Sequence, residues 1–141
     1  MKQIFIFVLL VLTFSGCKKE ENQDPLPEIK TIVGKWRLDA YERIVNGEKV
    51  WEKVTGEPSY LSFRFDGVIL GKDGLPTCCA PTSFTLNGIL FNIVPKAKLP
   101  ENPQCALVDC YSCPIWEMEQ NEDQLILSYC SWPSRARYIR E

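Results

Sequence analysis

Three dipeptide steps, Asn46-Gly47, Asp66-Gly67 and Asn87-Gly88, each separate two short apolar runs. Asn or Asp followed by Gly readily takes the left-handed backbone that a two-residue hairpin turn needs, so these steps announce paired antiparallel strands. The first joins residues 36–45 to a weaker run near 50–54. The second joins 60–65 to 68–70, and the third joins 83–86 to 89–94. A two-residue turn at Asp66-Gly67 sets Phe65 opposite Val68 and Phe63 opposite Leu70. The same turn at Asn87-Gly88 sets Leu86 opposite Ile89 and Phe84 opposite Phe91. Opposed side chains share a face, so each hairpin gathers apolar groups on one side.

A fourth hairpin is expected near Asn121-Glu122, with Trp116 opposite Leu127 and Met118 opposite Leu125. That register also sets Cys113 opposite Cys130. Opposed Cα atoms in an antiparallel pair lie ~4.5–5.5 Å apart, which suits a disulfide. A last strand is expected over residues 135–140. Residues 95–110 carry Pro95, Pro100 and Pro103 and lack periodicity, which predicts a long loop. No stretch of ten residues has a helical period. About eight short antiparallel strands imply an all-β domain, either a small up-and-down barrel, which leaves no exposed edge, or a β-sandwich.

The N-terminus has a separate role. Lys2 precedes an apolar run over residues 4–14, which is too short to span a bilayer as a helix, since that takes ~20 residues. A charged start, a short apolar centre and a small-residue exit are the marks of a secretion signal over residues 1–16. The exit, Phe14-Ser15-Gly16-Cys17, resembles the lipobox of bacterial lipoproteins, with Phe14 where Leu is usual. The resemblance implies a diacylglyceryl group on the Cys17 thiol and cleavage before it. Residues 17–30 begin Cys17-Lys18-Lys19-Glu20-Glu21 and are too poor in apolar side chains to fold, so they read as a tether. By the same resemblance, Lys18 after the lipidated residue points to the outer membrane, on either its periplasmic or its surface face. The folded domain is then residues 31–141, enough for one core.

Seven cysteines are present. With Cys17 assigned to lipid, six remain: Cys78, Cys79, Cys105, Cys110, Cys113 and Cys130. An even number in an exported domain implies disulfides. We expect Cys113–Cys130, with Cys78 and Cys79 joined to Cys105 and Cys110 in either order. The spacing of Cys110 and Cys113 also suits a metal ligand pair. The sequence has no His and no second Cys-x-x-Cys, so neither a metal nor any other cofactor is expected. Removing the signal takes the formal net charge from −2 to −3, because Lys2 is its only charged residue. That balance gives no electrostatic reason to expect nucleic acid. Arg135, Arg137 and Arg140 gather on the last strand, where a solvated face is the ordinary reading.

Gly34-Lys35-Trp36 opens the first strand. This motif resembles the lipocalins, whose first strand carries Gly-x-Trp and whose last strand supplies an Arg that packs across the Trp. The resemblance gives that part to Arg140, or else Arg137. Taken with the lipobox and tether, residues 31–141 look like the small lipocalin-like lipoproteins of Bacteroidetes. The resemblance implies a barrel holding a small apolar ligand, with Trp36, Leu38, Phe63, Phe65, Phe84, Phe91, Trp116 and Met118 as the side chains to line the site or fill the core. A second reading is an interaction module that contacts another envelope protein or a glycan through exposed aromatics such as Trp51, Tyr111 and Trp132. Catalysis is the least favoured reading. Without His the commonest general base is missing. The carboxylate pairs Glu117 with Glu119, and Glu57 with Asp66, are not set apart from ordinary surface acids.

Overall fold

A computed structural model describes residues 23–111, 113–130 and 134–141. The signal segment, Cys17, the first part of the tether and Trp132 lie outside the described residues. The element order is a 3-10 turn (Pro27–Ile29), β1 (Gly34–Val45), β2 (Glu48–Lys53), β3 (Tyr60–Phe63), β4 (Ile69–Leu70), β5 (Ser83–Leu86), β6 (Ile89–Asn92), a second 3-10 turn (Pro103–Leu107), β7 (Ile115–Asn121), β8 (Gln124–Ser128) and β9 (Arg135–Arg140). The strands form one curled sheet in the order β4-β3-β1-β9-β8-β7-β5-β6, with β2 paired to β1. The fold is all-β and barrel-like. No described helix is long and apolar enough to cross a membrane.

β1 organises the sheet. Its first residues pair with β3, its last with β2, and its other edge runs along β9. Trp36 lies opposite Arg140 and Leu38 opposite Tyr138. The register then slips by one, so that Ala40 lies opposite Arg137. Such a bulge adds one residue to a strand and re-aims the side chains beyond it. Before it, Trp36 and Leu38 face the core with Tyr138. After it, Ala40 shares the outer face of Arg137.

The core gathers Trp36, Leu38, Phe63, Phe84, Trp116, Met118, Leu125 and Leu127. Phe63 meets Phe84 edge-on at 6.1 Å, and Phe84 stacks on Phe91 at 5.1 Å. Offset and edge-on geometries suit the ring quadrupole. Ile29 and Ile32 plug one end and are fully buried. The folded unit therefore starts before residue 31. Leu26 packs on the core and its N–H donates to Phe65 O at 3.0 Å. An isolated Leu or Ile in a charged segment is a weak signal, which is why residues 26–30 read as tether in the sequence.

The turns at Asn46-Gly47 and Asn87-Gly88 are two-residue turns, with Val45 opposite Glu48 and Leu86 opposite Ile89. Asn46 and Asn87 take positive φ there. Asp66-Gly67 differs from expectation. Phe63 lies opposite Ile69, not Leu70, and the Arg64 N–H donates to Val68 O. The loop is therefore three residues long, 65–67. Gly67 has φ +84, and a Cβ there would fall 2.5 Å from the Phe91 ring. The extra turn residue releases Phe65 from the ladder and leaves it half-buried. The β7–β8 register is also two residues away from expectation: Met118 lies opposite Leu127, Gln120 opposite Leu125, and the turn is Glu122-Asp123. A two-residue slip keeps every side chain on its face, so the apolar pattern cannot detect it. Asn87 fastens the β5–β6 turn to β7: its Oδ1 accepts the Gln120 N–H at 2.8 Å and its Nδ2 donates to Gln120 O at 3.2 Å.

Topology supplies a further correction. β5 and β7 pair in parallel, with Phe84 opposite Trp116, so the sheet is not strictly up-and-down. The long connection over residues 93–114 makes this possible, because parallel neighbours need a crossover where antiparallel ones need only a turn. Among the described residues, no ladder joins the terminal strands β4 and β6.

Candidate functional site

Three regions carry polar chemistry. The first is the plugged end of the curled sheet. Trp36 Nε1 donates to Ile32 O at 2.7 Å. The Arg140 guanidinium lies 4.2 Å from the centre of the Trp36 ring. Its Nη1 donates to Val33 O at 3.3 Å and its Nη2 to Thr31 O. Gly34 has φ +121, a conformation that side chains rarely adopt. Arg140, not Arg137, occupies the position across the tryptophan. The guanidinium also pairs with Asp123 at 3.4 Å, so its contacts at this end are with the protein's own backbone, ring and carboxylate.

The second region is the outer face of β1, β2 and β9. Glu42 is almost fully buried, and its carboxylate accepts from Arg135 Nη2 at 2.6 Å and Nε at 3.2 Å. Lys49 adds a second cation at 3.6 Å. The Arg135 hydrogen bond is the main cause that lowers the Glu42 pKa, with burial opposing it. Arg137 forms a like pair with Asp39, at 2.6 Å. Both guanidiniums lie over Trp51, at 5.7 and 4.9 Å. Trp51 is thus half-covered by arginines rather than standing free as a contact residue. A solvated arginine face was the sequence expectation for Arg135 and Arg137. The signal missed was Asp39 and Glu42 on the first strand, which becomes informative once the first and last strands are neighbours.

The third region is the gap between β4 and β6. An apolar cleft of about 230 Å³ opens there. One wall is Val68 and Ile69, and the other is Ile93, Pro95 and Leu99. Pro76, Ala80, Pro81 and Thr82 complete it. The cleft takes its shape from the segments that the cysteines tie down. Cys78 bonds Cys105, and Cys79 bonds Cys110. Asn102 Nδ2 donates to Pro76 O at 2.9 Å. Beside Pro76, Thr77 Oγ1 is buried without a hydrogen-bond partner among the described residues.

Asp66 spans the gap. Its side chain is fully buried at 0% exposure. It accepts from Arg64 Nε at 2.8 Å, Arg64 Nη2 at 2.6 Å, the Val68 N–H at 3.4 Å and the Lys96 N–H at 2.7 Å. Arg64 Nη2 also reaches Ala97 O at 3.3 Å. Burial pushes the Asp66 pKa up, but Arg64 and the two backbone donors outweigh it and hold the carboxyl below its ordinary value.

Cys113 and Cys130 are bonded. The bridge does not link opposed residues, because the observed register continues to set Ile115 opposite Cys130. A second cleft, of about 450 Å³, lies beside it between Pro114, Glu117 and Tyr129. Trp116 meets Tyr129 at 4.9 Å, and the Tyr129 and Tyr138 hydroxyls lie 3.2 Å apart. Burial raises the pKa of both hydroxyls, so both stay protonated at neutral pH.

The eight side chains expected to line a ligand site do not line these two clefts. Trp36, Leu38, Phe63, Phe84, Trp116 and Met118 are buried core, and Phe91 packs on it. Of the suggested carboxylates, Asp66 pairs with Arg64, Glu57 with Lys72 and Glu119 with Arg135. Among the described residues, no group of three or more Cys, Asp or Glu side chains could hold a metal ion. No protein-family model, curated protein or solved structure matches the chain.

Proposed function

We propose that the chain is a membrane-anchored envelope lipoprotein whose lipocalin-like domain binds a small apolar molecule in the cleft between β4 and β6. In this reading Cys17 carries the lipid, the outer membrane is the anchoring surface, and the domain is a binding protein rather than an enzyme. In this reading the side-chain and backbone ties across the gap stand in for a strand ladder. The pairing of the first strand with the last and the Trp36–Arg140 stack support the lipocalin likeness. The cleft carries the binding reading: of its nine lining residues only Thr82 is polar. Its volume is below the ~300–1,000 Å³ typical of pockets for drug-sized ligands, which favours a small or slender apolar group.

The test uses the mature chain from residue 17 with Cys17→Ser, made in an oxidising compartment. Its intact mass is measured under native and then denaturing conditions. A native excess that disappears in Ala80→Trp, which fills the cleft from its exposed rim, is the expected result. Equal masses, with no uptake of a neutral apolar fluorophore, would count against the reading.

A second reading, an interaction module for an envelope protein or glycan, draws on the β1–β2 ribbon. Among the described strands β2 pairs with β1 alone. Ile44, Val45 and Val50 are exposed on the ribbon, and Leu107 and Tyr111 on the long loop. Site-specific cross-linking from Ile44 to one defined envelope component would favour it.

A further inference from the structure

The two walls of the apolar cleft belong to opposite sides of the gap in the sheet. Val68 and Ile69 sit on the β4 side. Ile93, Pro95 and Leu99 sit on the chain that leaves β6. This second wall is a strap with fixed ends. At one end the Ile93 N–H donates to Thr82 O at 3.0 Å. At the other, Asn102 holds Pro76 O, and Cys105 and Cys110 are bonded to Cys78 and Cys79. Between these anchors the strap is exposed over residues 94–98. Among the described residues, its hydrogen bonds across the gap are those of the Lys96 N–H to Asp66 and of Arg64 Nη2 to Ala97 O.

We propose that residues 94–99 are a hinged strap over the cleft, latched at mid-span by the buried Asp66 carboxylate, and that release of this latch admits the ligand. The inference rests on the reading of the cleft as a binding site. Asp66 is a positioning residue in this scheme. It sits one residue before Gly67, whose missing side chain lets the Phe91 ring close against the turn. A carboxylate buried only to brace a seam is a costly choice, since apolar packing of similar volume often serves as well. A latch, in contrast, needs a bond that can be switched. Among the described residues Arg64 is the one charged side chain in contact with the carboxylate. Lys96 and Val68 reach it through backbone N–H groups, and Phe91 brings no charge. Protonation removes the charge that orders these donors. Because the folded-state pKa is depressed, the latch holds at neutral pH and lets go only as pH falls through that lowered value.

The test is amide hydrogen exchange on the full mature chain, comparing residues 94–99 with β1 and β9. In Asp66→Asn, exchange across the strap is expected to rise roughly ten- to a hundredfold, as for the loss of one charge-assisted hydrogen bond, with β1 and β9 unchanged. Uptake of the neutral fluorophore N-phenyl-1-naphthylamine should become faster in the same variant. Should Asp66→Asn fail to fold, wild-type exchange followed down the pH scale answers the same question, and the strap should lose protection at a higher pH than β1 and β9. Equal loss in strap and sheet, in either experiment, would overturn the latch and leave Asp66 as a brace for the whole fold. Selective loosening of the strap with no fluorophore bound to either protein would overturn the binding reading and leave the latch standing.

Discussion

The plugged end and the gap between β4 and β6 are built by different means. At the plugged end, backbone ladders join β1 to β9 and β9 to β8, Trp36 lies under Arg140, and Ile29 and Ile32 seal the core. At the gap the ladder stops. Two disulfides, Asn102 and the buried Asp66 take its place. The contrast shows how a small domain divides its work. Apolar burial and backbone pairing are cooperative and cannot be loosened locally without wider loss. Covalent and charged ties hold single points, so the chain between them can move while the sheet stays intact.

Substitutions in the two regions should have different consequences. The largest effect is expected from Trp36→Ala. Truncating a fully buried aromatic typically costs about 3–5 kcal/mol. Urea unfolding followed by circular dichroism should show one transition shifted as a whole, because the sheet and the plug share this residue. A separate early transition of the sheet would contradict the cooperative picture.

Removing one seam bridge with Cys79→Ala and Cys110→Ala should cost about 2–4 kcal/mol. Its signature should be local. Exchange protection is expected to fall over residues 76–82 and 93–111, while β1 and β9 retain theirs. A uniform loss across the sheet would erase the distinction between the two regions.

Arg135→Met removes the main ion-pair partner on the outer face. Glu42 would keep its burial but lose its chief donor, at a cost of about 1–3 kcal/mol. The pH dependence gives the sign. In the wild type the Glu42 pKa is lowered by Arg135, so its contribution is present above the ordinary carboxylate pKa and lost as pH falls through the lowered one. The difference in urea midpoint between wild type and Arg135→Met should therefore be widest at neutral pH and shrink in acid. A gap that stays constant with pH would mean that the arginine acts through its packing on Trp51 alone.

Much of the strand layout was legible in the residues themselves. The turns at Asn46-Gly47 and Asn87-Gly88 need left-handed backbone that Asn and Gly tolerate, and the last strand could be read from its alternation. The site was less legible. Large apolar side chains such as Phe63 and Trp116 mark an inward face equally well whether they fill a core or line a cavity. Only the distance between facing strands separates the two cases. The cleft lining mixes residues in or next to strands, such as Val68, Ile69 and Ile93, with Ala80, Pro81 and Pro95, which carry no periodic signal.

Local chemistry therefore determined the β-class, most of the strands and the use of cysteine, because turn geometry and side-chain alternation act over a few residues. Tertiary structure decided the rest. It chose the register of β7 on β8, because a two-residue slip leaves the apolar faces unchanged. It set β5 parallel to β7. It also brought Asp66 against Lys96, thirty residues away. That contact depends on where two terminal strands stop, which no short stretch of sequence encodes.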